Sequence, residues 1–194
     1  MTEGARKQSR EVRGRSTHAV TWLAWSLAGL SVAMFFANIP LYLLALSAHV
    51  PSSWGADLSV GGLLARVPFL AFPLVGALIA SKRPSNPIGW ILLATGLLWM
   101  LNGMLNYYGF YGVAQPGSLP FPVGIAGINN WLWVPLVGLL GTYTIFLFPD
   151  GRLPSRRWRP LGWLCGVVLV LASFGVMLAP GPLQGLGRLR NPFA

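Results

Sequence analysis

Apolar residues in this chain come in long runs rather than at the spacing of a half-buried helix or strand. Between Arg15 and Asp57 there is no Asp, Glu, Lys or Arg. The apolar part of that stretch, residues 20–48, exceeds the roughly 20 residues a helix needs to cross a bilayer. Four further runs follow at residues 59–80, 88–110, 128–148 and 161–179, separated by short segments rich in Gly, Pro and charge. The pattern predicts an all-α fold, a polytopic transmembrane helical bundle of about five spans over residues 19–180. A basic segment (1–18) precedes it and a short tail (181–194) follows. The first run is longer than the ~7–15 apolar residues of a cleavable signal peptide, so it reads as a retained anchor. Pro40, just after Asn38, is expected to kink it. Residues 111–127 carry Pro116, Gly117, Pro120, Pro122, Gly124 and Gly127, and read as a loop.

Composition supports lipid as the solvent. The 194 residues are 54% hydrophobic and only 9% charged, against about 25% charged in soluble domains. The acids are Glu3, Glu11, Asp57 and Asp150. A net charge of +10 would suit nucleic acid if it were spread over one face. Instead, 11 of the 14 basic residues lie in three clusters: Arg6 to Arg15, Lys82 with Arg83, and Arg152 to Arg159. Short loops rich in Lys and Arg stay in the cytoplasm. A cytoplasmic N-terminus puts all three clusters there and makes the chain a multi-pass protein of the cell membrane. Arg188 and Arg190 then fall outside, on a tail that five crossings leave on the outer side and that is expected to lead towards a sixth span. Of the nine Trp, all but Trp99 fall near span ends, as in interfacial belts.

Two inner loops carry motifs. In SKRPSNPIGW (81–90), Asn86 can cap a helix that Pro87 opens, with Gly89 in its first turn. Lys82 and Arg83 set topology and meet anionic headgroups. In FPDGRLPSRRWRP (148–160), Pro149, Asp150 and Gly151 fit the last three positions of a tight β-turn begun at Phe148. Arg152, Arg156, Arg157 and Arg159, with Trp158 among them, form a basic and aromatic patch for lipid or for an attached or partner domain. Arg66 lies inside the second span. It either snorkels outward or faces the bundle, lining a polar pocket with Asn102, Asn106, Asn129 and Asn130.

Catalytic chemistry has little to work with. His18 and His49 flank the first span on opposite sides, and Asp57 and Asp150 are likewise split. No phosphate loop, HExxH or CxxC occurs, and Cys165 is alone. No catalytic residue, metal ligand or cofactor is expected, and nucleic acid is not an expected partner.

A basic residue and Pro before NPIGW, then PGSLP, then WLWVP, then FPDGRLPSRRWRP, in this order over about residues 60–182, resembles the multi-pass membrane input region of bacterial sensor histidine kinases. The resemblance implies a dimeric two-component sensor whose cytoplasmic core phosphorylates a histidine and passes the phosphate to a response regulator. The kinase motifs have no counterpart in these residues, so homodimer and response regulator are implied only with such a core. The short outer loops leave no room for a folded ligand-binding domain, which favours a lipid, a membrane property, a small apolar molecule or a membrane partner as signal. The alternatives are a stand-alone small membrane protein: a transporter or channel subunit, or an anchor for a partner.

Overall fold

The computed structural model describes residues 3–54, 56–153, 155–187 and 189–194, with backbone alone for residues 3–17 and Ser52. The side chains of the first basic cluster and Arg188 lie outside the described residues. Among the described residues the fold is all-helical, and five helices are long and apolar enough to cross a membrane. They are His18–Ser47, Val60–Lys82, Pro87–Ala114, Pro122–Leu147 and Arg156–Leu178.

The first span belongs to α1 (Glu3–Ser47), which runs through Pro40 without ending. Its helical backbone already includes the basic segment. Buried positions on α1 are Ala24, Ala28, Ser31, Asn38, Tyr42 and Ala45. Steps of three, four and seven residues make one packed face. Trp22, Leu30, Phe36 and Leu43 are exposed on its remaining surface, as suits a helix bathed in lipid.

The second span is not the continuous helix its hydropathy suggests. It consists of α2 (Val60–Leu64), a 3₁₀ segment (Val67–Leu70) and α3 (Ala71–Lys82). Ser59 caps α2 by accepting from Gly62 N–H (2.9 Å). The break falls at Ala65 and Arg66, just ahead of Pro68, which has no N–H to continue the ladder and clashes with the turn before it.

The third span, α4 (Pro87–Ala114), is the central helix and packs on α1, α3 and the fourth span. The expected loop at 111–127 shrinks to Gln115–Phe121, because α4 extends to Ala114 and α5 (Pro122–Gly138) starts early. Pro122 is tolerated as the opening residue of a helix. Trp131 and Trp133 therefore lie well inside the fourth span rather than at its end. That span continues through a π-turn (Leu139–Tyr143) into α6 (Thr144–Leu147). The last span, α7 (Arg159–Leu178), packs chiefly on α5 and buries only Ser173.

Two small cores hold the bundle. Near the basic loops Ala24, Ala28, Ala77, Ala80 and Leu93 pack together, and small side chains let backbones approach closely. A Cβ on Gly76 would lie 2.7 Å from Leu93 N, and one on Gly89 would lie 2.8 Å from Ala80 N. At the other end Tyr42, Ala45, Tyr107, Phe110 and Ala126 pack with Leu183 and Leu186 of the tail. The tail thus folds back as a cap. Leu183 N–H donates to Leu189 C=O (2.8 Å), and Asn191 Nδ2 donates to Met177 and Ala179 C=O at 2.6 and 3.0 Å. Gly185, at φ +74°, takes a backbone shape that a side chain would strain and presses against Phe110.

Candidate functional site

Three polar places stand out, one at each end of the bundle and one within it. At the tail end, α4 contributes Asn102 and Asn106, α5 contributes Asn129, Asn130 and Trp133, and the cap contributes Gln184 to a cavity of about 270 Å³. Asp57 joins them from the segment after α1. Asn102 Nδ2 donates to Asn129 Oδ1 (2.8 Å), tying α4 to α5, and Gln184 N–H donates to Asn130 Oδ1 (3.2 Å), tying the cap to α5. All four of these Asn residues line the cavity.

Arg66 does not line that cavity. It faces the bundle elsewhere, where its Nε donates to Tyr107 Oη (3.4 Å) and its guanidinium sits 5.1 Å from the Tyr107 ring centroid. A Cβ on Gly103 would lie 2.6 Å from both Arg66 Nη1 and Asn38 Oδ1. Only glycine leaves space there for both groups. Asn38 is fully buried, and its Nδ2 donates to Met34 and Met100 C=O at 2.8 and 3.2 Å. Its Oδ1 accepts no hydrogen bond. The separation from the Asn cavity has a simple cause. Consecutive helix residues point about 100° apart, so Gly103 and Tyr107 face α1 and the second span while Asn102 and Asn106 face α5.

Asp57 connects the two places electrostatically. Hydrogen bonds from Ser59 hold its carboxyl below the usual carboxylate range, helped by the positive charge of Arg66 and opposed by slight desolvation. Asn38, Gly103, Tyr107, Asp57, Trp133 and Gln184 were not among the sequence candidates. Asn38 was the one with a visible signal, as an amide deep in an apolar run.

At the basic end the two loop motifs meet. Asn86 accepts from Ile88 N–H (3.0 Å), the expected cap, with Pro87 and Gly89 in the first turn. Gly151, at φ +72°, packs against Asn86 and Pro87 so closely that a Cβ would collide with both. The turn at Pro149 and Asp150 is wider than the expected β-turn: Gly151 N–H reaches Leu147 C=O (2.7 Å) rather than Phe148. The Phe148–Pro149 peptide is cis. Lys82, Arg83 and Arg152 line the groove between the loops, of about 840 Å³, with Asp150 opposite in charge. Arg156, Arg157 and Arg159 are exposed beside it, outside its lining.

No protein-family profile, curated protein or solved structure matches the chain.

Proposed function

We propose that this chain is the membrane-embedded input module of a sensory protein of the histidine kinase type, with its basic end in the cytoplasm. The observation that carries this reading is the meeting of the two loop motifs on which the resemblance rests. They are far apart in sequence, yet Gly151 is seated on Asn86 and Pro87. Two helices make the arrangement suited to passing a signal. α4 carries the NPIGW turn at one end and Asn102 and Asn106 at the cavity. The fourth span carries Asn129 and Asn130 at the cavity and the FPDG turn at its far end. A ligand that changes how these helices sit together changes the groove between the loops, provided it binds the two arrangements unequally. Anionic headgroups are the proposed neighbours of the basic groove. Homodimerisation and transfer to a response regulator belong to the proposal only with a kinase core attached.

Sequencing the encoding gene beyond residue 194 tests it. The expected continuation is a sixth apolar span, then a helix with a phospho-acceptor His. A stop codon with no kinase gene beside it would sink the reading.

The break in the second span favours a second one. Broken helices beside an intramembrane charge are a feature of transport sites, and Arg66 sits at such a break. Reconstituted vesicles separate the two: solute flux that Arg66→Ala abolishes would favour transport.

A further inference from the structure

We propose that the tail-end cavity binds a small neutral molecule bearing several hydroxyl or amide groups, about the size of a monosaccharide. Size comes first. About 270 Å³ corresponds to on the order of nine waters at the volume each occupies in the liquid. Charge comes next. Among the described residues, Asp57 is the one formally charged residue of the lining. A wall whose described residues carry one carboxylate and no cation disfavours an anion. A cation would find this carboxylate already accepting from Ser59 N–H (3.1 Å) and sitting in the field of Arg66.

What remains is an unusual supply of neutral donors and acceptors. The hydrogen bonds between Asn102 and Asn129 and from Gln184 to Asn130 consume one donor or acceptor on each side. They leave the amide nitrogens of Asn129 and Asn130, the carbonyl of Asn102 and the whole amides of Asn106 and Gln184 for a ligand. A primary amide both donates and accepts, so a partner that does the same satisfies it best. Trp133 adds an aromatic wall for a C–H face. The short loops pointed to an apolar signal, whereas the cavity's own chemistry points to a polar one.

This deepens the sensory reading and rests on it for its purpose, not for the binding itself. The test is calorimetric titration of the full chain in lipid nanodiscs with N-acetylglucosamine and myo-inositol, beside acetate and tetramethylammonium. Saturable binding of a neutral probe is expected, with none of either ion, and a loss of about tenfold in affinity in Asn106→Leu, the size of one hydrogen bond. Asn106→Asp keeps the shape and is expected to recruit tetramethylammonium, which covers the case in which Asn106→Leu fails to fold. Three results would overturn the proposal: no neutral probe binds, tetramethylammonium alone binds, or neither variant changes any titration. Binding that leaves the solvent accessibility of the Asn86 and Gly151 loops unchanged would keep the site and remove the sensory reading. A kinase core in the gene with no neutral-probe binding would do the reverse.

Discussion

Gly103 carries no side chain, and the guanidinium of Arg66 and the amide of Asn38 approach across the space this leaves. An intramembrane Arg on its own costs about 2.5–3.5 kcal/mol on insertion scales. Here the charge is held by Tyr107 Oη and by the Tyr107 ring. Gly103→Ala is expected to displace Arg66 and lower stability by about 1–3 kcal/mol, as overpacking does. Thermal unfolding in micelles measures it, and an unchanged midpoint would show that the three helices do not meet tightly at this point. Asp57 gives a pH prediction with a definite sign. Its carboxyl lies below the ordinary value of 3.8, so its contribution is present above that value and is lost as pH falls through the lowered one. Acid titration of wild type against Asp57→Asn should diverge only above this acid range. Curves that separate only at the acid end would contradict the assignment.

At the scale of elements, hydropathy found every span, because only long apolar helices satisfy the backbone in lipid. It could not find the ends or the break. Pro122 and Gly124 looked like loop residues, yet the first opens α5 and the second lies within it. Pro68 lies within the apolar run of residues 59–80, and hydropathy does not register that it ends the helix geometry at Arg66. The Asn cavity was legible because four amides in the tail-end halves of two neighbouring apolar helices had few other places to go. The Arg66 cluster was not, because it depends on a glycine whose only role is to be small. Two pairs of small residues four apart fall in the second span: Gly76 and Ala80 lie buried at the crossing of α3 and α4, whereas Gly61 and Ala65 are exposed. Gly89→Val is expected to push those helices apart and cost about 1–3 kcal/mol. Cysteines placed on α3 and α4 near this crossing should then form fewer disulfides under oxidation, and an unaltered yield would refute the close contact.

For the whole molecule, the tail is the part whose role was least foreseen. Leu183 and Leu186 are each 2% exposed and close the aromatic core, while Gln184 completes the cavity. Leu186→Asp buries a charge without a partner and should cost several kcal/mol. It is expected to open the cap, read as faster hydrogen exchange at Leu183 and Leu189. If exchange there matches wild type, the cap does not depend on its buried leucines.

The crossing at Gly76 and Gly89 also fixes where α4 can rock. It lies near the start of this 28-residue helix. At 1.5 Å per residue, Asn102 stands about 20 Å from such a fulcrum and Asn86 about 4.5 Å on the other side. α4 is then a lever with its long arm at the cavity. A shift of about 1 Å at Asn102 would arrive at Asn86 as roughly a quarter of that, with the force enlarged in proportion. A signal carried this way would press the Asn86–Gly151 contact rather than swing a loop. Spin labels beside Asn106 and Ser85 would check it: ligand-induced displacement should be larger at the first, and equal displacements would rule out a rigid α4.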